Sequence, residues 1–148
     1  HKAQTTGNPE KLASILESGI DEERTRIGYF SLARVYEAQN DVANAVSTYK
    51  SALAKMPNDA GLMNAAGWFI YEQKAAKHFE WGIEMTQKAV ELEPKEAGIW
   101  DTLAWLLHSN GQYQDAVDAM TKVVELEPET EYFKQTLQKM KSDLEKNS

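Results

Sequence analysis

Apolar residues recur along the chain at the three-to-four-residue spacing of helices that bury one face. The run "RIGYFSLARVYEAQNDVANAVSTYKSALAKMP", ending at Pro57, holds two such patterns joined by the polar turn Gln39-Asn40-Asp41. The run "AGIWDTLAWLLHSNGQYQDAVDAMTKVVELEP", ending at Pro128, repeats the plan with Ser109-Asn110-Gly111 as its turn. In each, proline stops the second helix and turns the chain into the next unit. Between them lies "AGLMNAAGWFIYEQKAAKHFEWGIEMTQKAVELEP", a longer version of the same plan. Pro57 and Pro94 are 37 residues apart, against 34 for Pro94 and Pro128. Read forward from Pro57, Met63, Ala66, Gly67 and Ile70 fall on the first helix. Read back from Pro94, Phe79, Gly82 and Ala89 fall on the second, so three extra residues lie in the turn around 73–77.

The ends differ from the middle. Asn8-Pro9 reads as a helix N-cap with proline at the first helical position, opening "PEKLASILES". The stretch after Pro128, "ETEYFKQTLQKMKSDLEKNS", has a helical period but is far more polar, as expected of a helix that covers the last apolar face of a stack. The predicted organisation is a tail and capping or half-repeat helix over 1–25, repeats over 26–59, 60–96 and 97–130, and a polar capping helix over 131–148. About eight helices are expected.

The stretch "WDTLAWLLH" carries Trp100 and Trp105, five residues apart. On a helix they point about 140° apart, so one buried face cannot take both. Trp100, Leu103, Ala104 and Leu107 form the expected core stripe, and Asp101, Trp105 and His108 form a second one. The corresponding stripe is Asn64, Trp68 and Tyr71 in the middle repeat and Phe30, Arg34 and Glu37 in the first. Trp68 and Trp105 are 37 residues apart, like the prolines before them, and are expected as neighbours.

The repeat resembles the tetratricopeptide family, whose unit of roughly 34 residues follows W-x2-L-G-x2-Y…A-x3-F…P. Trp100, Leu103, Ala104, Leu107, Gly111, Tyr113, Ala116, Met120, Val123 and Pro128 carry the likeness in the third unit. Tyr29, Leu32, Ala33, Tyr36, Ala45, Tyr49, Ala52 and Pro57 carry it in the first. The resemblance implies an all-α, right-handed α-α superhelix with three repeats between capping helices, the first helix of each repeat lining the concave side. Phe30, Arg34, Glu37, Asn64, Trp68, Tyr71, Asp101, Trp105 and His108 then form a mixed aromatic and polar face for a protein or peptide partner. The alternative is a scaffold or spacer that self-associates, its tryptophans stiffening the stack, and a homo-oligomer stays open with it. Chaperone-binding members hold a partner's C-terminal carboxylate with Lys and Asn on the inner helices. Here those places hold Phe30, Arg34, Asn64 or Ala65, Gly98 and Thr102, which argues against such a clamp. The closing repeats are similar to those of bacterial envelope proteins, which favours the cell envelope or periplasm over the cytoplasm.

Composition narrows the chemistry. The net charge of −7 argues against nucleic acid or an anionic membrane surface as the main partner. No apolar run is long enough to span a bilayer, so direct membrane insertion is not expected. With no cysteine, neither a disulfide nor a thiolate metal site is available. His1, His78 and His108 lack a metal-ligand spacing, and His108 is expected near Asp101 as a hydrogen-bonding pair, not a catalytic dyad. No phosphate-cradling glycine loop or nucleophile elbow is present, and Glu91, Glu93, Glu125 and Glu127 read as solvated helix ends. No catalytic residue, metal or cofactor is expected.

Overall fold

The computed structural model describes residues 8–17 and 22–148. Of the tail and capping or half-repeat helix expected over 1–25, residues 1–7 and 18–21 lie outside the described residues. In chain order the helices are α1 (Pro9–Glu17), α2 (Glu22–Ala38), α3 (Val42–Lys55), α4 (Ala60–Glu72), α5 (Phe79–Leu92), α6 (Ala97–Ser109), α7 (Tyr113–Leu126) and α8 (Glu131–Lys146). A single 3-10 turn, Ala76–His78, precedes α5, and no strand occurs among the described residues. The chain divides into two compact units, one through Leu62 and one from Met63 onward.

In the first unit three helix starts, those of α1, α3 and α4, are fixed by short polar side chains. The Lys11 N–H donates to Asn8 Oδ1 at 3.0 Å, and the Asn44 N–H donates to Asp41 Oδ1 at 3.1 Å. Asn40 takes φ 56° in the turn between α2 and α3, a conformation asparagine tolerates better than most side chains. Helix α2 packs on α1 and α3. Ala33 and Ala45 are fully buried, and Leu16, Tyr29, Leu32, Val46 and Tyr49 fill the space around them. Small residues at that crossing let the two helices approach closely. Asp59 accepts from the Leu62 N–H and from Arg26 Nε, the latter at 2.6 Å. Burial would raise the Asp59 carboxyl, but the Arg26 and Leu62 bonds outweigh it and hold the group below its usual range.

Three helices of the second unit meet closely at its centre. A Cβ at Gly67 of α4 would stand 2.6 Å from Thr86 Cγ2 of α5 and 3.2 Å from Leu106 Cδ1 and Thr102 Cγ2 of α6. Only glycine lets these three helices meet there. Thr86 is buried, and its hydroxyl donates to the Gly82 carbonyl at 2.9 Å, so the side chain is held in place. Ile70, Leu106, Met120, Val123 and Met140 are completely enclosed. Residues 73–78 form the lengthened turn, with Lys74 at φ 52°. Gly111 takes φ 79° between α6 and α7, where glycine adopts the left-handed conformation without strain.

One core assignment changes. Trp100 is half-buried, while its neighbour Ile99 is buried. The Trp100 indole Nε1–H donates to the Pro94 carbonyl at 2.8 Å, so the ring ties the first turn of α6 back to the preceding turn. A buried indole needs an acceptor, and this one lies near the surface.

Candidate functional site

Helix periodicity places the sequence stripe on the first helix of each hairpin. In the second unit it becomes a ladder of rings. Trp68 and Tyr71 of α4 have ring centroids 5.1 Å apart, and Tyr71 and Trp105 of α6 are separated by 5.6 Å. Trp105 then meets His108 edge-on at 5.7 Å, and His108 meets Tyr113 of α7 at 5.2 Å. Trp68 and Trp105 are thus linked through Tyr71. Trp68 is 37% exposed, and Trp105 is half-buried between Tyr71 and His108. Tilted and edge-on contacts at these separations are favoured by the ring quadrupoles, so the ladder is held as a unit.

The polar members of the stripe divide by partner. His108 does not join Asp101. Its Nε2 lies 2.8 Å from Asp143 Oδ2 of α8, and Lys139 Nζ is 3.0 Å from the same oxygen. Lys139 and then His108 lower the Asp143 carboxyl. Asp101 stands one helical turn before Trp105. Its Oδ1 is buried and has no hydrogen-bond partner, and the same holds for Asn64 Oδ1, one turn before Trp68. Burial pushes the Asp101 carboxyl up to about 6, with a side-chain bond from Trp105 opposing it. Burial also raises Tyr71, with Tyr132 and Asp101 adding to the effect and Lys139 opposing it.

Beside the ladder opens a cavity of about 530 Å³, lined by Tyr71, Glu72, Lys74, Ala76, Phe79, Trp105, His108 and Ser109. The lengthened turn supplies Lys74 and Ala76. A volume of this size accepts one or two side chains of a bound segment.

In the first unit the stripe is engaged differently. The Tyr49 hydroxyl donates to Glu37 Oε2 at 2.7 Å, and the Phe30 ring meets the Tyr49 edge at 6.5 Å. The Arg26 guanidinium lies 4.9 Å over the Phe30 ring. Burial and then the bond to Glu37 raise the Tyr49 hydroxyl far above its ordinary range. Arg34 is exposed. Phe30 and Glu37 therefore already have partners within their own unit.

The site also includes residues that sequence reading did not assign to it: Lys74, Phe79, Tyr113, Lys139 and Asp143. Lys139 stands 34 residues after Trp105, so carrying the stripe one repeat further onto α8 locates it. The lengthened turn was visible, but not that it walls a cavity. Among the described residues, no group of three His, Asp or Glu side chains is arranged to hold a metal ion, and no helix is long and apolar enough to cross a membrane.

The family model of the ChAPs, described as Chs5p-Arf1p-binding proteins, matches residues 2–147. The chain belongs to the ChAPs family. Its repeats are tetratricopeptide repeats, as in the relatives this ChAPs chain is similar to. It is 30% identical over 109 residues to the small glutamine-rich tetratricopeptide repeat-containing protein 2 of Mycosarcoma maydis. That match covers 73% of the ChAPs chain and 30% of the relative, so the chain spans less than a third of that protein's length. Among solved structures, MamA 41-end from Desulfovibrio magneticus RS-1 superimposes with a TM-score of 0.72 at 19% identity. The overlap covers 99% of the ChAPs chain and 81% of the MamA chain. The first repeat domain of Spaghetti (RPAP3), bound to the HSP90 peptide SRMEEVD, gives a TM-score of 0.71 at 17% identity. It covers 84% of the ChAPs chain and 96% of the RPAP3 chain.

Proposed function

We propose that this chain is a non-catalytic protein-interaction module that takes an extended or helical partner segment on the inner helices of its repeats. The observation that carries the reading is the Trp68–Tyr71–Trp105 ladder, with Trp68 open to solvent and a cavity alongside it. Rigid rings provide apolar contact area at low entropic cost, and the half-buried polar groups among them fix a segment's direction. Asn64, Asp101 and His108 are the polar residues placed to do so, and Arg34 is the exposed member of the first-unit stripe. Phe30 and Glu37 act by shaping that stripe. The RPAP3 repeat domain seen with an HSP90 peptide supports this mode for the fold.

The test compares partner capture from a native lysate by the unaltered chain and by a Trp68→Ala/Trp105→Ala variant. Capture should be lost while helicity is kept and the melting temperature falls by only a few degrees. Unchanged capture by the folded double variant overturns the reading.

A further inference from the structure

The stripe repeats one arrangement twice in the second unit: an oxygen acceptor, then an indole four residues later. Asn64 precedes Trp68, and Asp101 precedes Trp105. Both Oδ1 atoms are withdrawn from water without a hydrogen-bond partner, while the Asp101 carboxyl draws a side-chain bond from Trp105. A carboxylate held this way is poorly compensated in the free protein, a cost that a cation brought close to it offsets. Asp101 also stands beside the ladder, one helical turn before Trp105 on the same helix. Ring faces carry negative potential, so the rings and the acceptors favour the same kind of group.

Several charged groups stand near the ladder. Lys139, which acts on Tyr71, is bonded to Asp143 along with His108. Glu72 also acts on Tyr71 and lines the cavity together with Lys74. Asp101 takes part in no ion pair among the described residues. An incoming carboxylate would meet Asp101 with like charge. An incoming ammonium or guanidinium would meet the exposed face of Trp68 and the negative charge of Asp101 behind the rings, on a chain whose net charge is −7.

We infer that the Asn64–Trp68 and Asp101–Trp105 pairs select a basic side chain, Lys or Arg, from the partner segment. This rests on the peptide-binding reading and adds to it the charge of the occupant. It is the opposite preference to an acidic C-terminal tail.

Three capped octapeptides alternating Leu with Arg, Gln or Glu separate the possibilities. Their affinities are measured by titration, and the indole N–H resonances of Trp68 and Trp105 locate the site. The Arg peptide should bind about tenfold tighter than the Gln peptide and the Glu peptide weakest. Asp101→Asn should bring the Arg peptide down to the level of the Gln peptide. Asp118→Asn, which removes the same charge from an exposed position on α7, should leave the preference intact. Equal binding of the Arg and Gln peptides, or a preference that survives Asp101→Asn, overturns the inference while leaving a neutral groove. If no peptide moves either indole, the peptide-binding reading falls and the inference falls with it.

Discussion

Phe30, Arg34 and Glu37 in the unit that ends at Leu62 correspond by repeat register to Asn64, Trp68 and Tyr71 and to Asp101, Trp105 and His108 in the unit that begins at Met63. In the first set, Glu37 accepts from Tyr49, and Phe30 meets Tyr49 and Arg26. In the second, Asn64 and Asp101 keep an oxygen without a donor, and Trp68 keeps a face in solvent. Register decides where a side chain stands. Whether a partner from its own fold reaches it decides whether it is consumed in stability or left for binding.

Three substitutions probe that difference. The largest effect belongs to Gly67, whose counterparts are Ala33 in the first repeat and Ala104 in the third. Those two alanines are fully buried, whereas at Gly67 Thr86 already stands where a Cβ would go. Gly67→Val should lower stability by about 3 kcal/mol in chemical denaturation, the range expected for overpacking a filled core. A loss below about 1 kcal/mol would mean that Thr86 yields and that this position packs like Ala33 and Ala104.

Tyr49→Phe removes the donor to Glu37 and should cost about 1 kcal/mol, reported by melts of the two proteins. If the change is neutral, the bond to Tyr49 does not hold the first-unit stripe, and the contrast between the units narrows.

Asp101→Asn should act in the other direction. Burial raises this carboxyl to about 6, so the folded state holds the proton more tightly than the unfolded chain. The group's contribution to stability is full below about pH 4 and is lost as pH rises through 6. At pH 7.5 the asparagine variant should be more stable by on the order of 1 kcal/mol, allowing for solvent screening. At pH 4 the two proteins should melt together. A variant that is less stable at pH 7.5 would place Asp101 with Glu37, as a group the fold depends on.

The helices were legible because their signals are local. A one-sided apolar period, a proline after each second helix and a capping Asn8 all act within a few residues. The stripe was legible for the same reason, since a 34- or 37-residue shift carries a position from one repeat to the next. What fills the space around each position was not. Glu37 meets Tyr49 twelve residues on, His108 meets Asp143 thirty-five residues on, and Trp100 turns to the Pro94 carbonyl instead of the core. These pairings depend on how the helices cross and which rotamers then fit, which no periodicity encodes.

The bond between His108 and Asp143 has a kinetic side. It reaches from α6 to α8 past the whole of α7, closing a stretch of 35 residues. The imidazole that walls the cavity is thereby latched to α8. A rotamer change of the ring has to break a bond that closes a long loop, so this wall moves with α8 and not as a free side chain. A displacement of α8 would reach the cavity through that one bond.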